Sequence, residues 1–463
     1  AENYRDFVHE LNRRVCEDKT TELAVFFATH HAAVLSDFNL LDRLARKYSK
    51  VAIIRPNLLI ASALQGRDED FQKAREAADY VISKNPPLWL HLEMLVTKLE
   101  AEVFGYPVLF HADSQDEIEE ILDRAPELSF YRSRVFHALS SRAVKDGDMA
   151  TSIGYLESAT VNSEENNDVN RLARVLRTKA TYIQSDDMKQ SMELLEESGK
   201  ILHSMGDMVG VSQTLFQLAK IMAIRGEYDR AIEICLETID LEQGMNQTIG
   251  PYAITLSTIY NAIKNPAAGY EWALMAEQET YPEHKPRAIL NQVWALALWN
   301  RLTEALILLD DVREAVLKSG MESHLAALNL VNGVLEAVRE DNSGAASSIE
   351  AALNIYERHG SMMSVGICLN LLATLEVYSV QSLSSSEVHD AVCPWLTLFK
   401  NRAMSEDLPG LLGQALLLEI RLLLFQDRNQ EAKRLLKELD SHVREHELRF
   451  LYGPVELLLN RIG

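Results

Sequence analysis

A chain break followed at fixed distance by a small residue returns along this sequence at a nearly constant interval. No other feature constrains the fold as strongly. Gly206-Asp207 is followed by Val211 and Ser212. The same arrangement stands at Asn167-Asp168 with Leu172 and Ala173, and at Gly360-Ser361 with Val365 and Gly366. Looser copies are Gly244-Met245 with Ile249 and Gly250, Gly320-Met321 with Leu325 and Ala326, and Pro282 with Arg287 and Ala288. The start points 167, 206, 244, 282, 320 and 360 are 39, 38, 38, 38 and 40 residues apart. A fixed period of this length is the signature of a repeat array, each period one supersecondary unit.

Each part of the motif has a physical role. Gly or Asn ends a helix in the left-handed conformation. Asp or Ser beside it caps the next helix. The small residue six positions on lets that helix approach a neighbour. About twenty residues further, each unit breaks again and resumes on a small residue. Gly226-Glu227-Tyr228 leads to Ala231, Gly147-Asp148-Met149 to Ser152, and Asn300-Arg301-Leu302 to Ala305. Each period therefore reads as helix A, turn, helix B, turn. The A helices are expected near 131–145, 170–184, 208–225, 246–264 and 284–300, and a final pair over 409–425 and 430–447. Composition agrees: 463 residues exceed one ordinary core, and only 12 Pro and 20 Gly leave little room for a turn-rich β fold.

Leu218, Ala219, Tyr228 and Ala231 resemble the tetratricopeptide repeat family at its own spacing, as do Phe71, Ala74, Ala78, Val81 and Pro86 in an earlier unit. The resemblance covers roughly residues 50–463. The unit is longer than that family's usual one of about 34 residues. In this it looks like the long-repeat sensor modules of signal-transduction NTPases and maltose-type transcription activators. The resemblance implies an all-α, right-handed superhelical solenoid of about ten antiparallel hairpins, with A helices lining a concave groove. The expected organisation is an N-terminal helical segment over 1–50, the repeat array over 51–376, a linker over 377–390, and C-terminal hairpins with a capping helix over 391–463. Ser384 and Glu387 in the linker have the spacing of a capping box.

Charge divides unevenly between the helices. The chain holds 46 Lys and Arg against 68 Asp and Glu, a net charge of −22. Such a chain is repelled by nucleic-acid backbones at long range, so no direct nucleic-acid partner is expected. Yet the five A-helix windows contain no acidic residue and thirteen basic ones. Candidate partner-binding residues are Arg132, Arg134, Arg142, Arg171, Arg174, Arg177, Lys179 and Lys220. They point to a protein or peptide partner of acidic or neutral character. The competing account is that these cations pair with acids on neighbouring B helices.

No constellation for chemistry stands out, so no enzyme, cofactor or metal is expected. "HVREH" (residues 442–446) matches H-x-x-E-H, but a zinc site also needs a third ligand downstream and few residues remain. His9, His30 and His31 have no metal-like partners nearby. P-loop, G-x-G-x-x-G, G-x-S-x-G and kinase signatures are absent. Trp272, Trp294 and Trp299 read as core before ligand contacts. Cys16, Cys235, Cys368 and Cys393 form no CxxC pair, and Cys235 and Cys368 read as buried reduced thiols. The opening "AENYRDFVHELNRR" is too charged for a signal peptide, and "VAIIRPNLLIASAL" is interrupted by Arg55 and Pro56. The expectation is a cytoplasmic scaffold that binds a protein segment, with a ligand-sensing module of a larger regulator as the alternative.

Overall fold

The computed structural model describes residues 69–104, 113–184, 187–245, 248–280, 282–383, 387–388 and 391–462, with isolated positions before residue 69. The segment 1–50, Cys16, His9, His30, His31, the stretch "VAIIRPNLLIASAL" and Ser384 lie outside the described residues, apart from Val25, Lys47 and Leu59. The fold is all-helical, with no strand among the described residues. The chain divides into two compact units, Ala1–Leu215 and Phe216–Gly463.

In the first unit the helices are α1 (Glu69–Ile82), α2 (Leu88–Phe104), α3 (Asp113–Arg124), α4 (Tyr131–Lys145), α5 (Met149–Glu165), α6 (Val169–Ile183) and α7 (Met188–Met205). The dividing point falls within α8 (Met208–Ile224). The second unit continues with α9 (Tyr228–Gly244), α10 (Gly250–Ala262), α11 (Pro266–Glu279), α12 (Lys285–Leu298), α13 (Leu302–Ser319), α14 (Glu322–Val338), α15 (Asn342–Arg358) and α16 (Met362–Ser379). It ends with α17 (Pro394–Ser405), α18 (Pro409–Phe425), α19 (Asn429–Glu445) and α20 (Tyr452–Ile462). The A helices are the even-numbered ones, and within each unit most helices pack against their neighbours in sequence, α4 on α5, α6 on α7, α10 on α11 and α14 on α15 among them.

The repeat motif does the work expected of it. Asn167, Gly206, Gly320 and Gly360 take φ of +53°, +76°, +64° and +62°. Asp168 accepts from Arg171 N at 3.0 Å and Asp207 from Gly210 N at 2.9 Å, each capping an A helix. The six small positions, Ala173, Ser212, Gly250, Ala288, Ala326 and Gly366, are all buried. A Cβ on Gly366 would stand 2.8 Å from Leu411 Cδ1, and one on Gly250 would stand 2.6 Å from Thr280 Cα. On the B helices Ser152, Ala231 and Ala305 are likewise fully buried.

Three joints depart from the pattern. Gly244 is the last residue of α9, with Met245 as cap at φ −100°. Pro282 opens a 3₁₀ turn over Pro282–His284. Ser361 makes no capping bond to the backbone of α16. Conversely, Lys264, Glu340 and Glu447 adopt positive φ without the residue type that would announce it.

Helix α16 is long and apolar enough to cross a membrane by composition, which sequence inspection did not bring out. Its Val365, Cys368, Leu372, Ala373 and Val377 are instead packed in the core.

Candidate partner-binding site

The cationic residues of the first unit stand on α4 and α6. These helices present polar side chains along one stripe while Val135, Ala138, Ala173, Val175 and Leu176 fill the core behind them. Most of the cations are engaged. Arg132 donates to Asp123 of α3 at 2.8 Å, and Lys179 lies 3.4 Å from Glu157 of α5. Those two follow the A-to-B pairing. Arg142 lies 3.9 Å from Asp146, one turn away at the joint.

Arg134 is held differently. Its Nη1 donates to both carboxylate oxygens of Glu93 at 2.9 and 2.8 Å, while Nε and Nη2 donate to Glu100 at 3.1 and 2.7 Å. Both glutamates belong to the preceding A helix, α2. Burial works against the charge, but Glu100 and Glu93 more than offset it and hold the guanidinium pKa well above its ordinary value. Arg174 donates through Nη2 to Asp207, the buried cap of α8, at 3.0 Å, and through Nε to Asn170. Arg177 reaches the Gly210 carbonyl at 3.5 Å.

Arg171 is the exception. Its guanidinium makes no hydrogen bond or ion pair among the described residues. Burial, set against the pull of Glu100 and added to by Arg134 and Arg174, brings its pKa down to about 10. Close by, His137 Nε2 meets Thr178 Oγ1 at 2.9 Å. Thr178 gives its own hydroxyl proton to the Arg174 carbonyl, so the proton of the neutral imidazole sits on Nε2. Burial, with Arg171, Arg177 and Arg174 around it, pushes the His137 pKa down to about 3. The stripe is thus a partly desolvated cationic strip with one guanidinium, that of Arg171, that has no hydrogen-bond acceptor among the described residues.

Lys220 belongs to the second unit. Its Nζ donates to Gln217 at 3.1 Å, lies 5.9 Å from the Phe216 ring, and has its pKa lowered by burial. Sequence reasoning missed Glu93 and Glu100, because the acid-free windows began at residue 131. The signal was there in "LWLHLEMLVTKLEAEVF", an amphipathic stretch one period earlier that carries acids.

Of the remaining sequence candidates, the two cysteines and Trp294 are core, whereas Trp299, expected in the core, is exposed. Cys235 and Cys368 are fully buried thiols with pKa pushed up to about 12 by burial. Trp294 is 2% exposed and Trp299 44% exposed, the latter under the Arg301 guanidinium at 5.4 Å. His442 Nε2 bonds the Pro409 carbonyl at 2.8 Å, and no group of three or more potential metal ligands occurs among the described residues. A cleft of about 550 Å³ lies between α17, α18 and α19, with Leu396, Leu422, Leu423 and Leu435 along its floor. The charges beside it pair locally, Lys400 with Glu419 and Arg428 with Glu431.

No family model matches the chain, and no curated protein matches it in sequence. Solved structures do. The apo form of RapI aligns over 84% of this chain and 99% of its own, at 14% identity and a TM-score of 0.50. The apo quorum sensor NprR from B. thuringiensis aligns over 76% and 92%, at 12% identity and TM-score 0.44. Yeast Tom70 aligns over 95% and 96%, at 12% identity and TM-score 0.37. The likeness to RapI is one of fold: a helical-repeat architecture.

Proposed function

We propose that this chain is a non-enzymatic helical-repeat scaffold that holds a protein or peptide segment of acidic or neutral character against α4 and α6. The observation that carries the reading is Arg171. A guanidinium without a hydrogen-bond acceptor among the described residues, beside Arg134, Arg174, Arg177 and a neutral histidine, carries a desolvation cost that the fields of Glu100 and Asp168 only partly offset. A ligand carboxylate would complete it, with bidentate geometry that arginine favours. The acidic remainder of the chain, at net charge −22, would turn acidic partners away elsewhere.

Arg174 is a poor probe of this idea, since reversing it would set a carboxylate against buried Asp207 and report on stability. Arg171 is the better one. Arg171→Glu should weaken binding to a fluorescent peptide carrying an Asp/Glu pair by about tenfold or more, with the melting temperature held and the salt dependence flattened. Equal affinity in variant and parent would sink the reading.

The period of 38 to 40 residues favours one second reading, a sensing module of a larger signal-transduction NTPase or transcription regulator. Nucleotide binding by the product of the full reading frame, absent from residues 1–463 alone, would decide for it.

A further inference from the structure

Within the second unit, the joint between α8 and α9 is not a free turn. Gly226, Glu227 and Tyr228 are buried, and the elements that bury them come from the far end of the sequence. Gly410 N donates to the Arg225 carbonyl at 2.9 Å. Arg225 Nη1 stands 3.6 Å from Asp407. Phe450 N donates to Asp229 at 3.0 Å across 221 residues, and Arg449 pairs with Glu233 at 2.5 Å across 216. Tyr228 lays its ring against Phe450 at 5.3 Å. The backbones meet directly: a Cβ on Gly410 would stand 2.0 Å from the Gly226 oxygen, and one on Gly226 would stand 2.6 Å from Leu411 N.

The composition of this seam differs from that of the hairpin cores. Asp407, Glu233 and Arg449 are 90%, 61% and 53% exposed, so their ion pairs are weak and screened by salt. Each element that meets there already has its own hydrophobic support. Leu416, Ile420, Leu436, Leu439 and Leu451 pack the C-terminal hairpin, and Ala219, Cys235, Ile239 and Leu256 pack the other side. At the α10–α11 joint of the same unit, burial, and after it the field of Arg421 on α18, lower the pKa of Lys264. The seam can therefore part while the helices on both sides stay formed.

We propose that the turn at Gly226 is a socket for the chain's own C-terminal joints, Asp407–Leu411 and Arg449–Phe450, and that the seam is a reversible clasp. Its opening, without helix melting, is what frees residues 225–450 to change their curvature.

Two amides report the seam almost alone. Gly410 N lies in the first turn of α18, where no intrahelical acceptor exists, and Phe450 N has Asp229 as its acceptor. In native hydrogen exchange both should be protected, yet exchange about 100-fold faster than core amides such as Leu256 and Ala219. Gly410→Val, which drives its Cβ into Gly226, should abolish the protection of Phe450 N while far-UV helicity is retained. Exchange of both amides at the core rate, or undiminished protection of Phe450 N in the valine variant, would overturn the proposal. So would the absence of any protection in the parent.

Discussion

Gly147 and Gly226 occupy the same place in their repeats and have the same local geometry, with φ of +80° and +75°. Gly147 N donates to Val144 O and Asp148 N to Ala143 O; Gly226 N donates to Ala223 O and Glu227 N to Met222 O. These are the paired bonds that close a helix on a left-handed residue. There the likeness ends. Nothing lies within 4 Å of a Cβ built on Gly147, and its joint faces solvent. Gly226 is pressed against the backbone of Gly410. The difference shows that a turn residue answers to two demands, one local and one imposed by a segment far along the chain. Only the second distinguishes these two glycines.

The largest expected effect follows at Gly226. Gly226→Ala adds a left-handed penalty of roughly 1–2 kcal/mol to a backbone collision that no side chain can relieve. We expect a loss of about 3 kcal/mol or more, read as a lower urea midpoint for the second unit. A midpoint close to the parent's would mean that the backbone approach at Gly410 relaxes cheaply, and the contrast with Gly147 would dissolve.

How far the sequence foretold this molecule follows the same division. Local chemistry was legible. Helix α18 was expected over 409–425 and spans Pro409–Phe425. The small positions were found where the period put them because a close helix approach excludes larger side chains at Ala173 or Ser212. Non-local pairing was not legible. Nothing in "RGEYD" announces that Asp229 will receive the amide of Phe450, and nothing in "SRVFHALSSR" says that Arg134 already belongs to Glu93 and Glu100. Charge patterning within windows saw the cations but not their partners, so it could not single out Arg171 from its neighbours. The positive φ at Lys264 and Glu340 escaped for the related reason that hairpin closure overrides residue preference there.

The two units can also be separated by pH. In the first, His137 is held neutral, its folded pKa of about 3 lying far below the ordinary 6.5. Its contribution to stability is complete above about 6.5 and is lost as pH falls toward 3, since the unfolded imidazole takes up the proton first. In the second, Cys235 and Cys368 titrate near 12 in place of 9. Their contribution is complete below about 9 and is lost as pH rises toward 12. Melting curves across pH should therefore show an acid decline that His137→Gln removes and an alkaline decline that Cys235→Ala and Cys368→Ala reduce. An acid limb unchanged in His137→Gln would place the acid sensitivity in groups other than this imidazole.

The smallest effect belongs to Gly147→Ala, and it calibrates the comparison. The alanine meets no neighbouring atom within 4 Å, so overpacking cannot contribute. What remains is the left-handed backbone penalty, partly offset because alanine restricts the unfolded chain more than glycine does. The expected loss is about 1 kcal/mol. It should appear as a small shift in the urea midpoint of the first unit, with its cooperativity unchanged and Asp148 still capping α5 through Thr151 N. Subtracting this loss from that of Gly226→Ala isolates the cost of the approach to Gly410, because the two sites share their local geometry. If the two alanine variants lose the same stability, the subtraction leaves nothing for that approach, and the second glycine is there for its φ alone.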